Sequence, residues 1–156
     1  RAFAQLDRDD TELLIGGTGR LEESLRELAA DLGVADRVRF LGFVPDEELP
    51  TLYSSVDLFV LPSEYEGFGI VFMEAMAFGT PVIGTDVGGV PTAIDDGETG
   101  YLVLKDDIKE LAARMDELLG DPSENERMAR GSRRWAVDHA WSAIAEQVSR
   151  VYGESC

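Results

Sequence analysis

Short apolar runs rich in β-formers alternate along this chain with segments of helical period, and that alternation restricts the fold most. The runs are Glu12–Gly16 (ELLIG), Val38–Gly42 (VRFLG), Asp57–Leu61 (DLFVL), Pro81–Gly84 (PVIG) and Gly100–Leu104 (GYLVL). Each reads as a strand, and Glu12–Gly16 as a buried one. Between them lies Leu21–Leu32, with apolar residues at Leu21, Leu25, Leu28, Ala29 and Leu32. Glu48–Val56 is a second helical segment, with Pro50 tolerated in its first turn. Phe68–Phe78 is a third, stopped by Gly79. Three helical stretches close the chain: Ile108–Leu119, Glu124–Asp138 and Ser142–Tyr152. Strands separated by helices pair in parallel through right-handed crossovers. The expected fold is α/β, a doubly wound, Rossmann-like parallel sheet flanked by helices. Such sheets bind ligands at the C-terminal ends of their strands, so the loops after Gly16, Leu41, Leu61 and Gly84 are where a site is expected.

The chain has 156 residues, which suits one domain, and 44% of them are hydrophobic, enough for a packed core. No apolar run reaches the roughly 18 residues of a membrane helix. Asp and Glu total 31 against 14 Lys and Arg, for a net charge of −17. Only Lys105 and Lys109 are lysines. A surface this acidic repels nucleic acid, so none is expected as a partner. Its lysine poverty resembles the composition of a halophilic protein, in which salt screens the self-repulsion; the plainer alternative is an ordinary acidic cytosolic protein. The single cysteine, Cys156, excludes an intrachain disulfide.

The segment Pro62–Pro81 (PSEYEGFGIVFMEAMAFGTP) carries the most specific chemistry. An acidic loop passes through Glu66-Gly67-Phe68-Gly69 into a helix. Amides at a helix start are unpaired, and the helix dipole adds partial positive charge. Gly67 and Gly69 leave those amides open to close approach, an anion site suited to a diphosphate. Glu66 lies before the helix and Glu74 about six residues inside it, roughly 9 Å further along at 1.5 Å per residue. Two carboxylates straddling a phosphate site match the sugar hydroxyls at both ends of a nucleotide sugar. Glu74 stands among Phe72, Met73, Ala75, Met76 and Ala77, where a carboxylate is costly without a partner. The plainer alternative makes Glu66 a solvated loop residue and Glu74 an exposed helix residue. A glycosidase acid/base pair would instead need both carboxylates across one bond.

Glu66, seven residues, then Glu74, within EGFGIVFMEAMAFGTPVI, resembles the signature of the retaining glycosyltransferases of family 4, which have the GT-B fold. LLIGGTGRLEESLRELAADLG, VRFLGFVPDEELPTLYSSVDLFVLPS, GTDVGGVPTAIDDGETGYLV and WSAIAEQVSRVY resemble successive parts of the same family. The resemblance covers nearly the whole chain. It implies one half of a GT-B fold: residues 1–156 as a single C-terminal domain that binds a nucleotide-sugar donor. Arg1–Leu6 reads as the tail of a helix without its strand, so this domain is expected to be truncated at its N-terminus and to lack the N-terminal acceptor-binding domain. As the catalytic pair, Glu66 would hold hydroxyls of the transferred sugar and Glu74 those of the ribose. Amides of Phe68, Gly69 and Ile70, next to Gly67, would meet the diphosphate. Gly17 and Thr18 would line the phosphate side, Phe43 and Val44 would lie against the base, and Gly88 and Gly89 would border the sugar pocket.

The resemblance further implies a metal-independent hexosyltransferase, with no cofactor beyond its donor substrate. It implies a cytoplasmic location, with peripheral docking at the inner membrane face open to the intact enzyme. The sequence departs from the family at Thr92, where a glutamate is common. The family's basic diphosphate-binding pair falls before Arg1, leaving Arg20 as the candidate inside the chain. The fragment alone is expected to bind donor without transferring sugar. A nucleotide-sugar epimerase of the same fold would need further carboxylates and a histidine. A non-catalytic nucleotide-binding regulatory domain would not require an intact Glu66/Glu74 pair.

Three other features point to structure rather than chemistry. The loop Gly16-Gly17-Thr18-Gly19 lacks the third glycine of a dinucleotide fingerprint. His139, beside Trp141, reads as structural. Asp95-Asp96 and Asp106-Asp107 read as solvated or capping pairs.

Overall fold

A computed structural model describes residues 1–140, with 145 and 149 beyond them. Five strands form: β1 (Leu13–Gly16), β2 (Val38–Gly42), β3 (Phe59–Leu61), β4 (Val82–Thr85) and β5 (Gly100–Val103). Among the described residues six α-helices accompany them: α1 (Glu22–Asp31), α2 (Leu49–Ser55), α3 (Ile70–Ala77), α4 (Val90–Ala93), α5 (Ile108–Gly120) and α6 (Pro122–Asp138). All strand pairing is parallel. β1 pairs with β2, and β3, β4 and β5 form a second ladder in that order.

The parallel sheet expected from the sequence is therefore present as two ladders. Both feed one core: Leu13, Val38, Leu58 and Val60 pack against the cluster that holds Ile83, Tyr101 and Val103. Among the described strands, only β4 has a ladder neighbour on each side.

β4 is the centre of the fold, and all four of its residues are buried. Successive side chains of a strand point to opposite faces. Ile83 accordingly joins Phe3, Leu6, Tyr101, Val103, Met115 and Met128 on one side. Val82 joins Tyr53, Phe72, Met76, Val90 and Ile94 on the other. β5 repeats the pattern, with Tyr101 and Val103 on the first face and Leu102 packed on the second. Full burial of a side chain such as Phe72, Met76 or Met128 stabilises by about 1.5–3 kcal/mol. The helices thus cover both faces, the layering the alternating sequence implied.

Helix ends follow their residues. Asp107 caps α5 by accepting from the Glu110 N–H at 2.9 Å, and Asp121 caps α6 by accepting from the Ser123 and Glu124 N–H groups at 2.9 and 3.2 Å. Gly79, at φ 79°, ends α3. α6 approaches the turn before β5 closely: Ser132 Oγ donates to the Thr99 carbonyl at 2.9 Å, and a Cβ on Gly131 would overlap the Glu98 carbonyl.

Three expectations change. Arg1–Leu6 contributes one short 3-10 turn, Phe3–Gln5, rather than an α-helical tail. The apolar stripe of α1 is largely open: Leu21, Leu25 and Leu32 are exposed and only Ala29 is buried, because the narrow β1–β2 ladder gives the helix little to pack on. α3 starts at Ile70, because Gly69 takes a left-handed conformation at its N-cap. The closing helix expected over Ser142–Tyr152 lies outside the described residues, apart from the two isolated positions.

Candidate donor-binding site

Parallel pairing brings the loops after β1 and β2 to one end of the first ladder, and the loops after β3 and β4 to one end of the second. Backbone contacts join them in pairs. The Gly17 N–H donates to the Gly42 carbonyl at 2.7 Å, tying the loop after β1 to the end of β2. Thr85 Oγ1 donates to the Ser63 carbonyl, tying the end of β4 to the loop after β3.

The loop from Pro62 to Gly69 leads into α3. Gly69 has φ 78°, which an L side chain rarely adopts, and a Cβ there would lie 2.5 Å from Phe72 Cδ2. Its carbonyl accepts from the Phe72 N–H at 2.9 Å. Among the described residues, the N–H groups of Phe68, Gly69, Ile70 and Val71 have no acceptor, and no side chain caps the helix. A row of open amides at the positive end of a helix dipole is an anion site. Along the row Phe68 and Ile70 are exposed, Val71 is half-buried and Gly69 is buried.

The two glutamates lie on either side of this row. Glu66 is half-buried, and its Oε1 accepts from the Gly67 N–H at 3.0 Å. Glu74 is the fifth residue of α3, also half-buried, and its Oε2 accepts from the Tyr53 hydroxyl at 3.1 Å. This supplies the partner that a carboxylate among apolar neighbours requires. The pattern of the chain exposed the need for such a partner; its identity, on a different helix, became visible only in three dimensions.

Tyr53 itself is buried, with 6% exposed. It stacks on Phe78, centroids 6.3 Å apart, and meets the Phe59 edge at 5.7 Å, while its carbonyl accepts from Thr80 Oγ1 at 2.6 Å. Burial, then the neighbouring Glu74, push the Tyr53 hydroxyl up to about 12, so it stays a donor across the ordinary pH range.

Gly88 and Gly89 pack against the Glu66–Gly67 backbone. The Gly89 N–H donates to the Glu66 carbonyl at 3.2 Å. A Cβ on Gly88 would overlap the Glu66 carbonyl oxygen, and one on Gly89 the Gly67 carbonyl oxygen. Gly88 also has φ 55°. The short helix α4 follows directly; its Val-Pro-Thr-Ala sequence is too brief to show a period, which hid it from the sequence reading.

Phe43 and Val44 follow β2, at the end of its ladder where Gly17 meets Gly42. Phe43 is 74% exposed, whereas Val44 is half-buried with Cγ2 beside Gly16. Gly17 spends its amide on Gly42, and Thr18 is exposed. Arg20 is exposed in the turn before α1. Away from this end, His139 stacks on Trp135 with centroids 4.0 Å apart and its Nδ1 2.9 Å from the Trp135 carbonyl.

Comparison with known proteins places this geometry. The family described as Glycosyl transferases group 1 matches residues 1–135. A D-inositol 3-phosphate glycosyltransferase of Corynebacterium diphtheriae is 40% identical over 99% of this chain and 38% of its own length. A GDP-mannose-dependent phosphatidylinositol monomannoside mannosyltransferase of Mycolicibacterium smegmatis is 38% identical over 89% of this chain and 39% of its own length. The chain thus spans well under half of these relatives. Among solved structures, a sucrose-phosphate synthase of Thermosynechococcus elongatus superposes with a TM-score of 0.85 at 34% identity, covering 98% of this chain and 40% of that one. The Anabaena protein HepE, solved with UDP-glucose, gives 0.83 at 26% identity over 98% of this chain and 43% of that one. With its parallel strands, helices on both faces and Glu66/Glu74 pair, the chain belongs to the group 1 glycosyl transferases, family 4 with the GT-B fold, and corresponds to the C-terminal half of that fold.

Proposed function

We propose that this chain is the donor-binding half of a retaining, nucleotide-sugar-dependent hexosyltransferase. The observation that carries the reading is the row of open amides at Phe68–Val71 with one carboxylate on each side. A diphosphate on the amides would present the transferred sugar to Glu66 and the ribose to Glu74. That HepE was solved with UDP-glucose and with UDP supports a donor of this class. Phe43 and Val44 would meet the base, and Gly17 and Thr18 the far side of the phosphates.

In this reading the charge that develops on the departing diphosphate is stabilised by preorganised main-chain dipoles. Basic groups from elsewhere in the enzyme assist, and no metal is required. The acceptor hydroxyl attacks on the face from which the diphosphate leaves, and the leaving phosphate takes its proton, which retains the anomeric configuration. Residues 1–156 alone would bind donor without transferring sugar. The acceptor would be bound by a second, N-terminal domain. The −17 charge, carried with two lysines, supports adaptation to high salt.

Thermal unfolding in molar potassium chloride with UDP, GDP, ADP, dTDP and NAD tests the reading, since a ligand that binds only the folded state raises the melting temperature. A selective rise with one nucleoside diphosphate, and none with NAD, is expected of the full-length protein. Absence of any rise there would refute donor binding. Sugar transfer by residues 1–156 alone would refute the division of labour.

A further inference from the structure

Glu74 sits on α3, but the group that fixes its carboxylate comes from α2, the helix after the Phe43–Val44 loop. Tyr53 Oη donates to Oε2 of Glu74 at 3.1 Å, which leaves Oε1 without a protein donor among the described residues. The tyrosine has little freedom. Its ring lies between Phe78 and Phe59, Phe59 in turn meets Phe72 edge-on at 5.7 Å, and its carbonyl is held by Thr80. A glutamate side chain on a helix surface samples several rotamers. One oxygen tied to a locked phenol reduces them and leaves the other oxygen free to accept.

We propose that Tyr53 is a positioning residue for ribose recognition: it holds Glu74 so that Oε1 accepts a ribose hydroxyl, making the site selective for ribonucleotides over their 2′-deoxy counterparts. This rests on the reading of Glu74 as the ribose-binding carboxylate. Because a phenol can hold the carboxylate only by donating to it, the tyrosine must remain protonated, which its buried setting ensures. A site built to hydrogen-bond a hydroxyl rejects the analogue that lacks it, because its own polar group is left unpaired. An unheld Glu74 would still accept from a ribose, but the cost of fixing its rotamer would fall on binding, and much of the selectivity would disappear.

The test compares the affinity of the full-length protein for UDP and 2′-deoxy-UDP, with GDP and 2′-deoxy-GDP as the other base pair. Each ratio is measured on wild type, Tyr53→Phe, Glu74→Gln and the double variant. Both ligands of a pair meet the same preparation, so the ratio is insensitive to the folded fraction. Loss of one hydrogen bond to a charged group predicts a roughly tenfold fall in ribonucleotide affinity and in the ratio for Tyr53→Phe. The double variant should then behave as Glu74→Gln alone. Tyr53→Met, an apolar filler without a donor, serves the same comparison if Tyr53→Phe does not fold. If Glu74→Gln lowers the ratio while Tyr53→Phe keeps the wild-type value, the positioning role is overturned and the ribose role of Glu74 stands. If Glu74→Gln keeps the wild-type ratio, the ribose reading itself fails and the proposal fails with it.

Discussion

The main-chain N–H of Gly89 donates to the carbonyl oxygen of Glu66 at 3.2 Å, which presses the loop after β4 onto the backbone that carries the first glutamate. Gly89 has an ordinary φ of −93°, so only space forbids a side chain there. Gly89→Ala must separate the two loops, and overpacking of this kind costs about 1–3 kcal/mol. We expect a lower melting temperature and at least tenfold weaker nucleotide-sugar binding. Gly97→Ala is the control: Gly97 has φ 80° but nothing within 4 Å of the added carbon, so it should lower stability without touching affinity. Equal affinity loss in both variants would disconnect the Gly89 contact from the site.

Glu66 and Glu74 should separate by ligand. If Glu66 meets the transferred sugar and Glu74 the ribose, Glu66→Gln weakens a nucleotide sugar and spares the bare nucleoside diphosphate. Glu74→Gln weakens both. Hydrogen bonds to a charged group contribute about 1.5–3 kcal/mol, a roughly 10- to 100-fold change in affinity. Calorimetric titration with UDP and UDP-glucose, and with GDP and GDP-mannose, reads the difference directly. A Glu66→Gln variant that loses the bare diphosphate equally would reverse the assignment.

Alkaline pH should destabilise the fold through two tyrosines. Tyr53 is raised to about 12 by burial and then by Glu74; Tyr101 is raised to about 12 by burial and then by Glu117, to which its hydroxyl donates at 2.7 Å. An unfolded tyrosine titrates near 10. A group whose folded pKa is raised gives stability that is full below its unfolded value and is lost as pH rises through the folded one. The melting temperature should therefore begin to fall near pH 10. Melting curves of the Tyr53→Phe, Tyr101→Phe double variant should show a shallower alkaline decline; an unchanged slope would exclude these tyrosines as its source.

Salt should stabilise this chain if its composition is adapted to salt. With −17 net charge, self-repulsion opposes compaction, and the screening length shortens from about 10 Å at 0.1 M to about 3 Å at 1 M. Potassium chloride is expected to raise the melting temperature steadily between these concentrations. A melting temperature independent of chloride would remove the halophilic reading. Sodium sulfate is a poor substitute because it also strengthens apolar burial.

Strands were the most legible part of the sequence, because runs such as Val82–Thr85, all of it buried, are short, apolar and bounded by turn residues. The glutamate pair and the glycines between were legible too, since an anion site on amides needs close approach. What escaped depended on partners distant in the chain. α1 shows a sound apolar stripe, yet Leu21, Leu25 and Leu32 stay exposed, because periodicity states which face is apolar and not what covers it. The start of α3 at Ile70 depends on the φ of Gly69, a choice glycine leaves open. Tyr53 could not be paired with Glu74 from spacing, since the two are 21 residues apart on different helices. Gly88 and Gly89 were expected beside the site, but their tight fit against Glu66 and Gly67 is a matter of tertiary approach.

On the proposed reading, in which main-chain amides at Phe68–Val71 hold the phosphates of the donor, the arrangement has an evolutionary consequence. A phosphate grip made from backbone survives almost any exchange of the side chains at 68, 70 and 71 that respects the turn at Gly69. Side chains facing the base and sugar are then free to drift toward new donors while the grip stays constant. Donor preference and phosphate affinity are separately heritable in such an arrangement, so a single scaffold can diversify without passing through a form that binds nothing.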